Sequence, residues 1–213
     1  MSPEPVAGER VYRRLRDLLM GGAYHPGDLL PLQRLADELG TSVSPVRDAV
    51  HRLVGERVLL AGQGGGFNVP ILSADDVWHL YTWHAELLRL ALRDPLPPAT
   101  QASISTTIGQ SDHADALAHS SANLFGAFAT ASGNAEIIHA IANASLRLHA
   151  ARLCEPKFIK GIRQELESIA HIAKTGPAGT VRRAVSEYHR RRLRRSARIA
   201  NAIKVITGVR TSL

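Results

Sequence analysis

Arg47, the serines Ser42 and Ser44, and the glycine run Gly64, Gly65 and Gly66 point to a common chemistry, the holding of phosphates and the reading of base edges. Arg47 lies one turn into a helical stretch. A guanidinium there can grip guanine bidentately or clamp a phosphate. Ser42 and Ser44 flank the start of that helix, where free N–H groups and the helix dipole favour an anion. The three glycines let backbone approach phosphates without a Cβ in the way. Each has a plainer role to be weighed: an ion pair for Arg47, an N-cap for Ser44, a tight turn for the glycines.

Other chemistries find less support. The single cysteine, Cys154, excludes an internal disulfide framework and a Cys-rich zinc site, and no histidine stands at a spacing that would activate it. The ten histidines invite a metal reading, and Asp115 and His119 share a helical face at i, i+4. His139, His149 and His171 read as surface or satisfied core histidines. There is no phosphate-cradling P-loop and no dinucleotide-binding glycine pattern. No catalytic residue is assigned, and the chain is read as not an enzyme.

The elements that position Arg47 follow from hydrophobic periodicity. Val11, Leu15, Leu18 and Leu19 stripe a helix over 9–22. A second short helix opens at Pro31 and carries Leu32, Leu35, Ala36 and Leu39. A third begins with Ser44 as N-cap and Pro45 in its first turn, with Val46, Ala49, Val50 and Leu53 inward. After Gly55 the period changes. Val58-Leu59-Leu60 and Phe67-Asn68-Val69 read as a hairpin around a glycine-rich tip. Three helices and a hairpin in this order make a winged helix-turn-helix, whose third helix can lie in a major groove. From Ser73, an N-cap, the pattern is helical to the end, with helices expected over 74–93, 99–109, 112–131, 134–154, 157–175 and 178–206. The fold class is therefore mainly α: a winged helix-turn-helix at 1–72, then an all-α helical bundle at 73–213.

Residues 10–70 resemble the DNA-binding domain of GntR-family transcriptional regulators. The matching residues are Pro26-Gly27, Leu30, Leu35-Ala36, Leu39-Gly40, Ser42, Pro45-Val46-Arg47-Asp48-Ala49, Leu53, Gly65-Gly66 and Val69. The helical segment, with Ala131-Ser132-Gly133-Asn134 between two helices, is similar to the FadR-like subfamily and its FCD domain. The resemblance implies a homodimer on double-stranded operator DNA, contacted by Arg34, Ser42, Ser44, Arg47 and Gly64–Gly66. For Arg34 a solvated surface arginine is the plain alternative. Two positions depart: Val43 stands where the family has arginine, and Arg57 where it has glycine.

The resemblance also implies a helical domain that takes a small-molecule effector such as an organic acid, in many members through a divalent metal. Here the metal-ligand positions fall on Ser121, Phe125 and the stretch Glu165–Glu167, and only His189 matches. No metal or other cofactor is expected. The family's carboxylate-binding arginine falls on His84 and its glutamate on Leu88, so any cavity is expected to be more apolar. Effector contacts are expected from His84, Phe125 and His189, with Trp83 and Phe128 as further lining.

The formal charge is +7, yet residues 1–72 are neutral overall. Residues 181–213 hold ten basic side chains and one acidic. The excess includes Arg182, Arg183, Arg190, Arg191, Arg192, Arg194, Arg195 and Arg198. With no apolar run near the ~18–20 residues of a membrane span and no signal-peptide pattern, a cytoplasmic protein without a membrane partner is expected. The function read from all this is a sequence-specific, ligand-responsive transcriptional regulator. Two alternatives were weighed: a nonspecific nucleic-acid binder using the basic C-terminal helix, and a helical small-molecule enzyme with a vestigial DNA-binding module.

Overall fold

The computed structural model describes residues 4–62, 66–104 and 108–210. Gly64 and Gly65 lie outside these residues. Two compact units result: residues 1–71 together with 204–213, and residues 72–203.

The first unit packs α1 (Glu4–Met20), α2 (Leu32–Glu38) and α3 (Val43–Gly55) beside a hairpin of β1 (Leu60–Ala61) and β2 (Phe67–Asn68). The expected stripes make its core, with Val11, Leu15, Leu35, Val46, Val50 and Leu53 almost wholly buried. The strands pair antiparallel, Leu60 with Asn68 and Ala61 with Phe67, and Leu29 adds a bridge to Asn68. Strand β1 starts later than the run Val58-Leu59-Leu60 suggests. The reason is that the Val58 and Leu59 N–H groups are both spent on the Leu53 carbonyl at the end of α3.

Arg57 holds a left-handed conformation, φ 58°. Its N–H bonds the Val54 carbonyl at 2.9 Å, and the Val58 N–H bonds Leu53 at 2.9 Å. That is a Schellman end to α3, with Arg57 at the position glycine prefers. Gly40 closes α2 in the same way, φ 59°, with Gly40 N–H on Asp37 and Thr41 N–H on Ala36.

The second unit is all helical: α4 (Ala74–Ala91), α5 (Pro98–Ser103), α6 (Ala114–Ala131), α7 (Ala135–Arg147), α8 (His149–Cys154), a 3-10 turn at Glu155–Lys157, α9 (Ile162–Thr175), α10 (Ala178–Leu193) and the start of α11 (Ser196–Arg210). Ser73 caps α4 through a capping box with Asp76. The Ser132-Gly133-Asn134 break is built as expected. Gly133 takes φ 64°, and the Asn134 side chain accepts from the N–H groups of Glu136 and Ile137.

Four expected helices are shorter. The 99–109 run yields only α5, which ends at Ser103. The 134–154 run bends at Leu148, between α7 and α8. The 157–175 helix starts only at Ile162, because Pro156 sits in the 3-10 turn and Gly161 turns left-handed, φ 68°, ahead of α9. The 178–206 helix breaks where the Arg195 N–H bonds Arg192 instead of Arg191. An apolar core of Leu88, Leu92, Leu124, Phe125, Phe128, Leu166, Ile169 and Val181 fills the bundle.

Candidate functional site

Helix α3 presents two faces. Val46, Ala49, Val50 and Leu53 are buried, and Ser44, Arg47, Asp48 and His51 are exposed. At about 100° per residue these four exposed side chains share one arc. Arg47 has no hydrogen bond or ion pair among the described residues, so its guanidinium is available. Ser42 rather than Ser44 is the N-cap, and its side chain makes no capping bond. The N–H groups of the first turn are therefore left without an intrahelical partner. Ser44 instead lines a groove of about 470 Å³ with Glu9, Tyr12, Pro45, Asp48 and Arg52.

A polar brace holds α3 on α1. The Tyr12 hydroxyl donates to Glu56 at 2.8 Å, and the Arg52 guanidinium stacks on the Tyr12 ring at 3.6 Å. Arg52 also donates to Glu9 at 2.9 Å and to Glu56 at 3.2 Å. Arg52 is thus committed to structure while Arg47, five residues earlier, is not. Arg34 takes the plainer role in part: it is exposed and donates to Glu38 at 2.8 Å. An exposed pair of that kind holds a side chain with only about 0–1 kcal/mol. Gly66 closes the wing, its carbonyl accepting from the Gly62 N–H at 2.8 Å.

The interior of the second unit is more polar than expected. His84 of α4 and His189 of α10 are both buried, with His84 Nδ1 2.8 Å from His189 Nε2. His189 Nδ1 lies 2.7 Å from the Val185 carbonyl, which can only accept. His189 therefore carries its proton on Nδ1, and its Nε2 accepts from His84 Nδ1–H. That leaves the His84 Nε2 lone pair facing Arg152 Nη2 at 3.5 Å and Ser145 Oγ at 3.4 Å. Burial pushes the His189 pKa down to about 3 and that of His84 well below its ordinary value. Both rings are neutral.

Arg152 was not anticipated. It is 1 % exposed, and among the described residues no carboxylate lies within ion-pair distance of it and its Nε and Nη1 have no partner. Beside it, Arg192 consumes the available carboxylates. Its Nη2 is 2.9 Å from Glu155 and its Nη1 2.7 Å from Glu165. Glu155 also accepts from the Tyr81 hydroxyl. Arg152 comes from α8 and lies beside His84, the position at which the resemblance would put an arginine. The sequence signal was phase: Leu148, Ala151, Arg152 and Glu155 fall at i, i+3, i+4 and i+7, one inward stripe.

Phe125 lies at this cluster, its ring 5.2 Å from that of His84 and 5.9 Å from the Arg152 guanidinium carbon. His84, Phe125 and His189 are therefore brought together. Trp83 is not among them; it sits on the outer face of α4. The residues do not fit a metal. Ser121 donates to the Leu117 carbonyl, Phe125 has no donor atom, and His189 Nε2 is taken by His84. Asp115 Oδ1 lies 3.5 Å from His119 Nε2, and the His119 ring is 5.5 Å from that of His149. Among the described residues no group of three His, Cys, Asp or Glu side chains is arranged to hold a metal ion.

A braced three-helix head with a hairpin wing and an uncommitted arginine on its third helix is a winged helix-turn-helix of the nucleic-acid-binding class. Residues 7–69 match the family described as bacterial regulatory proteins, gntR family. An uncharacterized HTH-type transcriptional regulator, YdhC of Bacillus subtilis (strain 168), is 27% identical over 110 residues, 52% of this chain and 49% of the relative. The HTH-type transcriptional regulator McbR of Escherichia coli (strain K12) is 34% identical over 85 residues, 39% of this chain and 38% of McbR. The matched segments thus span half or less of these curated relatives.

The fold similarity extends further than the sequence similarity. A solved structure of E. coli McbR/YncC aligns over 92% of this chain and 97% of its own at TM-score 0.71 and 19% identity. A putative transcriptional regulator GntR from Rhodococcus sp. RHA1 aligns over 92% and 98% at TM-score 0.72 and 19% identity. No helix among the described residues is long and apolar enough to cross a membrane.

Proposed function

We propose that this chain is a sequence-specific, DNA-binding transcriptional regulator that works as a homodimer and answers to a small anionic molecule. The observation that carries the DNA reading is the contrast on α3. Arg52 is tied into the Tyr12–Glu9–Glu56 brace, while Arg47 stands exposed and unpaired beside the open helix N-terminus. Arg47 would contact guanine or phosphate, with Ser42, Ser44 and the wing glycines against the backbone and Arg34 swinging off Glu38. Binding to a pool of random duplexes tests this. A two-fold symmetric sequence should be enriched over rounds at moderate salt; a pool that stays random would refute sequence-specific binding.

The effector reading rests on Arg152. A buried guanidinium without a carboxylate is costly, by several kcal/mol, unless an anion completes it. A small carboxylate or comparable organic acid would sit against Arg152, with Ser145, Phe125 and the neutral His84–His189 pair around it. No metal takes part. The bound anion would shift operator affinity by a coupling of ~1–3 kcal/mol.

A further inference from the structure

Helix α4 carries a half-exposed apolar face. Trp78, Trp83 and Leu90 are 45%, 51% and 48% exposed, with His79 and Glu86 exposed between them. The buried side chains of α4, among them Val77, Leu80, Tyr81, His84 and Leu88, point the other way. Two half-exposed indoles and a leucine on one helix form more than the scattered apolar surface of an ordinary exterior.

The charges around this face are self-complementary. Asp75, in the first turn, and Arg93, just past the last, are exposed, and neither side chain has a partner among the described residues. They are about five turns apart and so fall on one line along the helix. Placed against a parallel copy, this face would set Asp75 beside Asp75 and Arg93 beside Arg93. Placed against an antiparallel copy, it sets opposite charges together at both ends. In that register Trp83 meets Trp83 near the two-fold axis, Leu90 covers His79, and the Trp78 ring meets the Arg89 guanidinium. The last pair is a cation–π contact.

We propose that this face of α4 docks on the same face of a second copy of the chain, the two helices antiparallel about a two-fold axis beside Trp83. The proposal rests on the homodimer reading and gives it a surface. Sedimentation velocity on the full chain tests it, with circular dichroism confirming the fold of each variant. Trp83→Glu should weaken dimerisation at least a hundredfold. Asp75→Arg alone should weaken it, and the pair Asp75→Arg with Arg93→Asp should restore it. Trp83→Cys should cross-link into a disulfide dimer on mild oxidation, whereas Cys154 is buried. A wild-type dimer that survives Trp83→Glu, or a charge swap that fails to rescue Asp75→Arg, overturns this interface while leaving the homodimer reading intact. A wild-type chain that is monomeric at tens of micromolar overturns both.

Discussion

Arg57 and Arg152 are the two residues whose positions conflict with their chemistry. Arg57 holds φ 58° at the end of α3, where an L side chain costs about 1–2 kcal/mol over glycine. Arg57→Gly should therefore raise stability by about 1 kcal/mol, the gain trimmed by the added freedom of the unfolded chain; a lower urea midpoint would contradict this. Arg152 is a buried charge lacking an anion. Arg152→Met should stabilise the ligand-free protein by about 1–4 kcal/mol if it behaves as other buried ions replaced by apolar groups, read as a higher thermal midpoint. It should also abolish any stabilisation by added carboxylates. Retained carboxylate stabilisation in Arg152→Met would remove the effector from this site.

The buried histidines set a pH dependence. His189 is held near 3 and His149 near 4, both chiefly by burial, and His84 is lowered too. Unfolded, each titrates near 6.5. Below that value the unfolded chain binds protons that the folded one refuses. Their contribution is present above about pH 6.5 and is lost as pH falls toward the folded values. The melting temperature should drop between pH 6.5 and 4, and His149→Gln should make the drop shallower. An unchanged slope in that variant would show that His149 does not titrate on unfolding.

At the scale of elements, periodicity made most of the fold legible. The stripes Val11–Leu19 and Val46–Leu53 fix α1 and α3, Ser73 caps the helix it was expected to cap, and Asn134, expected only as part of a break, proves to be the N-cap of α7. What escaped was set by competition for the same backbone groups. Val58 and Leu59 look like strand but finish α3, because a Schellman end uses their N–H groups. Ser44 looks like a cap, yet the helix begins earlier at Val43. The buried polar cluster was half legible. His84, Phe125 and His189 were named from the resemblance, whereas Arg192 was counted with the basic C-terminal charge and Arg152 was given no role in the site. A pattern of polar and apolar residues assigns an arginine outward by default. Only its phase with Leu148 and Ala151, or with Val185 and Tyr188, would have turned it inward.

At the scale of the whole molecule, the basic C-terminal region divides into working parts. Arg182 donates to the Leu92 and Arg93 carbonyls, Arg191 and Arg192 hold Glu165, and Arg190 pairs with Glu187. Arg183, Arg194 and Arg198 are exposed. Much of the net charge that first suggests nucleic acid is thus spent on holding helices together. Replacing Arg194 and Arg198 by Gln should leave the salt dependence of operator binding unchanged. A fall in its slope of about 0.9 per residue would place them on phosphates.

The central claim is that a nearly neutral head reads DNA through a few placed groups, Arg47 foremost. The direct measurement is a band shift of wild type and Arg47→Ala on the enriched operator and on a scrambled duplex, at one salt concentration. The expected result is a loss of at least about tenfold on the operator, near the ~1–3 kcal/mol of one bidentate contact, with little change on the scrambled duplex. Equal affinity of wild type for the two duplexes, or an unaltered operator affinity in Arg47→Ala, would contradict it.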